Sequence, residues 1–307
     1  MSKARLAACL CVALSACSSE EPSGTNPREP VTPEPAPTST GTTPPPADAP
    51  RWPPELVGPD TPPAAAFTLF NITPCYDQLG MGGFGIVEMP FFRQSKFFAS
   101  GADASGPPDL DKTAALAEEL KGTKEPVMLD IESWPTIGDD DVVAETVARY
   151  ESILETMLGV DPSLTIGFYG VPPVRNYTAP VSGDPTKIAN WQANNDKLVS
   201  LANAEGIVYP SLYTFYNEPE DWLKYAVANI EEARRIAPDK RVAVVLWPRY
   251  HDDEMAFIDQ AFFALQLDTA YELADAVVIW DFAASTCDPE PWWNATKAFA
   301  EQHDFFQ

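Results

Sequence analysis

Two acids stand two residues apart in the run Val127-Met128-Leu129-Asp130-Ile131-Glu132-Ser133-Trp134. Side chains alternate along a strand, so Met128, Asp130 and Glu132 share one face while Val127, Leu129 and Ile131 share the other. If the apolar set packs under helices, both carboxyls project the same way from the end of the strand. Two carboxylates held that close do not both ionise freely. One is pushed towards its protonated form, and a carboxyl that keeps its proton near neutral pH is a general acid. The triplet alone is also what a solvated strand end looks like, so its meaning depends on what surrounds it.

Aromatic residues surround it. Tyr169, Tyr213, Trp247 and Trp280, together with Asn71 and Glu88, each end an apolar or β-branched run. Aromatic rings in such places suit sugars, whose C–H faces stack on them while tyrosine hydroxyls bond to ring substituents. Taken singly, each is better explained as a core aromatic. His251 and His303 are the only histidines, too few and too far apart for a metal site or a serine-type triad. No metal or cofactor is implied.

The elements that must position these groups alternate in type. Short apolar runs at 66–71, 84–89, 127–132, 165–169, 207–213, 242–247 and 276–280 read as strands, and the amphipathic stretches 110–120, 140–158, 188–203, 220–236, 254–264 and 291–302 read as helices. Repeated βα units predict an α/β fold with a parallel sheet, here a distorted TIM-like (β/α) barrel of seven strands, one short of the usual number. In such a barrel the chemistry sits at the C-terminal strand ends, where the polar and aromatic residues gather. Glu88 and Asp281 are other acids at those ends that could partner Glu132.

The N-terminus reads differently. Lys3 and Arg5 precede the apolar run 6–14, and Leu14-Ser15-Ala16-Cys17 follows it. That is the layout of a bacterial lipoprotein signal, 1–16, cleaved before a lipidated Cys17. Residues 17–63 are rich in Pro and Thr and cannot bury enough apolar surface to fold, so they read as a disordered tether. The barrel is expected over 64–307. Ser18 after the lipidated cysteine favours the outer membrane or cell surface, with the lipid on Cys17 as the contact with the membrane. Losing Lys3 and Arg5 makes the remainder two charges more negative than the −25 of the whole chain. Such a surface repels nucleic acid, and it disfavours a densely anionic polysaccharide unless the cleft is locally basic. Cys75 and Cys287 remain as a pair in an exported protein. A disulfide is the expectation, with two separate buried thiols as the alternative.

The runs "LDIESW", "IGFYGVPPVRNY", "NDKLVSLANAEGIVYPSLYTF" and "AVVIWDF" resemble, in order and context, those of the animal-type hyaluronidases, the family 56 glycoside hydrolases, whose barrel also has seven strands. "FNITPC" is similar to the family's first strand and cysteine, and Cys287 lies where the partner cysteine belongs. The resemblance spans nearly all of 66–290. It implies that Glu132 protonates the glycosidic oxygen. Asp130 would orient the substrate's 2-acetamido group, whose carbonyl oxygen attacks the anomeric carbon in place of an enzyme nucleophile, with retention. It further implies that Tyr169, Tyr213 and Trp280 hold that group, and that Arg249 is a substrate-binding residue.

The chain departs from the family at Pro173, Val174 and Arg175, where an acid, a cysteine and an aromatic are usual, and at Asp281, where the family has a small residue. The expected function is a surface-anchored endo-glycosidase acting on a β-linked N-acetylhexosamine polysaccharide. The alternative is a non-catalytic glycan-binding lipoprotein on a decayed hydrolase barrel.

Overall fold

The computed structural model describes residues 67–251, 255–282 and 291–305. In chain order the elements are β1 (Thr68–Asn71), α1 (Tyr76–Leu79), β2 (Val87–Glu88), β3 (Phe91–Arg93), α2 (Leu110–Glu119), β4 (Val127–Asp130), α3 (Asp140–Val160) and β5 (Ile166–Phe168). There follow α4 (Thr178–Ser182), α5 (Pro185–Asp196), α6 (Val199–Ala204), β6 (Ile207–Val208), α7 (Pro219–Ile236), β7 (Arg241–Leu246), α8 (Gln260–Leu273), β8 (Ala276–Ile279) and α9 (Pro291–Gln302).

All strand pairings are parallel. One sheet runs β2-β1-β8-β7-β6 and the other β3-β4-β5. Two junctions join them. At one, Tyr169 just past β5 bridges to Tyr209 just past β6. At the other, β2 and β3 are halves of one extended segment broken at Met89-Pro90: the Met89 N–H donates to Asn71 of β1 at 3.2 Å, and the Pro90 carbonyl accepts from Met128 of β4 at 3.0 Å. Pro90 has no N–H to give, which suits the point where the segment changes partners. The result is a TIM-like (β/α) barrel of seven strands, one of them split.

The core has the layering that this architecture demands. Val127, Leu129 and Ile131 pack outward against α2 and α3 through Leu116, Val143, Tyr150 and Ile153. Met128 points inward with Phe70, Tyr169, Tyr209, Tyr213, Val245, Trp247 and Val278. The alternation read from the sequence is therefore the alternation observed. Gly167 lets β5 and β6 approach: a Cβ there would lie 2.0 Å from the Ile207 carbonyl oxygen. Gly170, at φ 67°, turns the chain immediately after Tyr169.

Helix ends follow local chemistry. Asp109, Asp184 and Asp259 cap α2, α5 and α8 by accepting backbone N–H groups, an arrangement that contributes about 1 kcal/mol each. Two expected helices differ. The stretch 188–203 is two helices, α5 and α6, parted at Lys197-Leu198. The helix expected over 254–264 begins only at Gln260, because Phe257 is taken into an antiparallel bridge with Arg249 and Asp259 caps the next turn. The leader 1–16, the tether 17–63, Cys17 and Cys287 lie outside the described residues. Cys75 is buried at the start of α1.

Candidate active site

The strand β4 ends at Asp130, and the next residues are pinned from outside the barrel. The Tyr150 hydroxyl, from α3, donates to the Ile131 carbonyl at 2.7 Å. Ser133 donates to Gln94 at 2.7 Å, and the Trp134 indole donates to the Gly106 carbonyl at 3.0 Å. Trp134 is thus a buried anchor, edge-on to Tyr150 with ring centres 4.8 Å apart. With Ile131, Ser133 and Trp134 fixed, the backbone that carries Asp130 and Glu132 is held in place.

The Asp130 and Glu132 carboxyls are close enough for the charge of Glu132 to act on Asp130. Asp130 is partly buried and Glu132 exposed. Burial, then the neighbouring Glu132 charge, push the Asp130 carboxyl up to about 7, against the opposing pull of Arg93. One Asp130 oxygen is buried without a hydrogen-bond partner among the described residues. The Asp130 carboxyl therefore holds its proton to a higher pH than an ordinary aspartate, the direction expected for one acid of such a pair.

The facing wall is aromatic. The Tyr169 hydroxyl lies 2.9 Å from the Ser211 hydroxyl, and the Tyr169 and Tyr213 rings are 5.6 Å apart. Tyr213 stacks on Trp280 at 5.7 Å with the planes 14° apart, and Trp247 packs against both. Burial raises the Tyr169 phenol to about 12 and drives that of Tyr213 well above its ordinary value, so both hydroxyls stay protonated and available as donors. Asp130 and Glu132 are near enough to Tyr213 for their charges to add to the rise of its phenol.

Arg249 is positioned otherwise than the sequence suggested. Its guanidinium grips Asp281 (Nε to Oδ1 2.9 Å, Nη2 to Oδ2 3.0 Å), donates to the Met255 carbonyl at 3.1 Å and lies 3.7 Å over the Phe257 ring. Asp281 also accepts from the Trp247 indole at 2.9 Å and the Phe282 N–H at 3.0 Å. Arg249 is a clamp on the aromatic wall, spent on a carboxylate of the chain itself. The same bonds remove Asp281 as a partner acid for Glu132. Glu88 is removed by parity: Val87 and Met89 face the barrel interior, and Glu88 is exposed on the opposite side.

Sequence reasoning did not select three residues that belong to the mouth. Arg93 ends β3 in register with Asp130. Ser211 joins Tyr169 to Arg175, whose Nη1 donates to the Ser211 hydroxyl at 3.1 Å. The parity of the strand 87–93 could have pointed to Arg93. A cavity of about 410 Å³ adjoins the mouth, lined by Thr73, Phe91, Arg93, Lys96 and Trp280 among others.

Comparison with solved structures supports the same architecture. The chain superposes on bee venom hyaluronidase with a TM-score of 0.55 at 18% sequence identity, covering 78% of this chain and 97% of that one. Its complex with a hyaluronic acid tetramer gives a TM-score of 0.54, again at 18% identity, covering 78% and 96%. No family model and no curated protein sequence matches. What this likeness shows is a shared barrel fold.

Proposed function

We propose that the chain is a glycoside hydrolase that cleaves β-linked N-acetylhexosamine polysaccharide internally, with retention, by substrate assistance. The observation that carries this reading is the pairing of Asp130 with Glu132 opposite the Tyr169–Tyr213–Trp280 wall. Glu132, exposed at the tip of the strand, protonates the departing glycosidic oxygen. Asp130, partly buried and with its carboxyl pushed up to about 7, accepts a hydrogen bond from the acetamido N–H in its ionised form. It thereby aligns the acetamido carbonyl oxygen on the anomeric carbon. That oxygen forms a bond to the carbon as the glycosidic bond breaks, giving a cyclic oxazolinium intermediate. Water then opens the ring with Glu132 as base. Tyr169 and Tyr213 supply phenolic donors, and Trp280 gives the sugar an apolar face.

The likeness in fold to bee venom hyaluronidase favours an N-acetylhexosamine polymer as substrate. The leader, a lipid on Cys17, the tether to residue 63 and a Cys75–Cys287 disulfide complete the proposal: an enzyme held at the outer membrane or cell surface. The full-length chain and its Glu132→Gln variant, assayed for new reducing ends over pH 4 to 8 on hyaluronan, chondroitin, chitin oligomers and peptidoglycan strands, test the reading. Product released by the wild type alone, and blocked by a thiazoline analogue of the oxazolinium ion, is the expected result. Equal binding of one glycan by both proteins with no cleavage would instead assign a binding protein.

A further inference from the structure

The most unusual charge at the mouth is Arg175. It sits in the loop after β5 at the place where the hyaluronidase resemblance breaks down. Its guanidinium donates to the Ser211 hydroxyl at 3.1 Å and lies over the rings of Phe215 (5.3 Å) and Tyr213 (5.9 Å). Among the described residues no carboxylate stands at ion-pair distance from it, whereas Arg149, Arg234, Arg235 and Arg249 each have one. The titratable groups around it are Tyr169, Tyr225, Tyr213 and Glu132. A partly buried cation among neutral rings and hydroxyls is costly unless an anion completes its shell. In a chain this acidic, a guanidinium kept clear of the surrounding carboxylates is available for an anion brought by a ligand.

Its neighbours say where that anion would be. Ser211 bridges Arg175 to Tyr169, and Arg175 covers Tyr213, so it adjoins the same two tyrosines that are proposed to hold the acetamido group. We infer that Arg175 is a specificity-determining residue that binds an oxyanion, a carboxylate or a sulfate, carried by the N-acetylhexosamine itself. This rests on the proposed placement of that sugar against Tyr169 and Tyr213. It reverses, for this one subsite, the expectation from net charge that anionic glycans are disfavoured. A bidentate guanidinium suits both oxyanions, and the two sources are a lactyl ether carboxylate and a sulfate ester.

The test uses the full-length chain with Glu132→Gln to prevent turnover, alone and combined with Arg175→Gln or Arg175→Lys. Calorimetry would measure affinity for chitin oligomers (neutral), hyaluronan (acid on the neighbouring sugar only), 4-sulfated chondroitin and peptide-free peptidoglycan strands (acid on the hexosamine). At unchanged melting temperature, Arg175→Gln is expected to lose about tenfold or more in affinity for the sulfated or the lactyl glycan. It should leave chitin and hyaluronan within about twofold, and Arg175→Lys should recover part of the loss. Which of the two glycans responds identifies the oxyanion.

A loss confined to hyaluronan would move the acid to the neighbouring sugar and overturn the inference, as would an equal loss on every glycan. Parallel cleavage assays with Glu132 intact keep the two ideas apart. Arg175-dependent binding without cleavage by the wild type sinks the hydrolase reading alone. Cleavage that is indifferent to Arg175 sinks the inference alone.

Discussion

Two aspartates occupy opposite sides of the same barrel mouth, and their surroundings differ. Asp281, after β8, is gripped by the Arg249 guanidinium and also accepts from Trp247 and the Phe282 N–H. Asp130, at the end of β4, has an acid, Glu132, as its charged neighbour and one oxygen buried without a partner among the described residues. A carboxylate whose lone pairs are spent on a cation and two N–H groups is a structural fixture. A carboxyl kept protonated beside another acid has a proton to share and an oxygen to offer a ligand. The mouth therefore divides into a satisfied wall that shapes the pocket and an unsatisfied one suited to chemistry.

The sharpest break between the walls is expected at Glu132. Glu132→Gln removes the proposed proton donor and should lower kcat/KM by about 10³-fold or more, with melting temperature unchanged, in a reducing-end assay. On the satisfied wall the order of effects reverses. Arg249→Met leaves Asp281 buried without its cation, which should cost about 3 kcal/mol and lower Tm by about 6–12 °C. Activity measured well below the transition should stay within about threefold. If activity collapsed while Tm held, Arg249 would be a substrate ligand after all, and the division between the walls would fail.

The next effect is smaller and depends on pH. The Asp130 carboxyl rises from about 3.9 in the unfolded chain to about 7 in the folded one. Between those values the folded state holds a proton that the unfolded state releases, so stability falls as pH rises from about 4 to about 7. The effect is absent below that window and complete above it. Asp130→Asn cannot release a proton. Relative to wild type it should gain about 2–4 kcal/mol of stability at pH 8 and nothing at pH 4, read from urea unfolding at both values. A difference that does not vary with pH would mean that Asp130 is already ionised in the folded protein, and would erase its contrast with Asp281.

These contrasts were unequally visible in the sequence. The inward face of β4 was legible because a period of two needs only Met128, Asp130 and Glu132 to be read. Seven strand positions were legible for the same reason, and the order of quoted runs pointed to the barrel. The pairing of Arg249 with Asp281 was not legible because the two lie 32 residues apart, and no local pattern announces a long-range ion pair. The start of α8 was missed because Phe257 joins a bridge to Arg249 that only the folded loop creates. Arg175 stood in the sequence as a departure from a family pattern. Its place over Tyr213 and beside Ser211 required β5 and β6 to be side by side, which Gly167 allows but does not advertise.

The smallest effect concerns how the unsatisfied wall is held still. Ile131 sits between the two acids, and its carbonyl accepts the Tyr150 hydroxyl at 2.7 Å. Tyr150 belongs to α3 and is buried against Trp134 and Phe168, so the helix layer fixes the backbone from which both carboxyls project. Tyr150→Phe keeps the ring packing and deletes only that bond, leaving a buried carbonyl unpaired at a cost of about 1–2 kcal/mol. If position matters as much as acidity, kcat should fall about tenfold while KM stays constant, because misaligned groups still bind substrate but reach the transition state less often. A loss of stability with kcat intact would instead make Tyr150 a core residue only. The acids would then owe their geometry to the Ser133 and Trp134 anchors on the far side of Glu132.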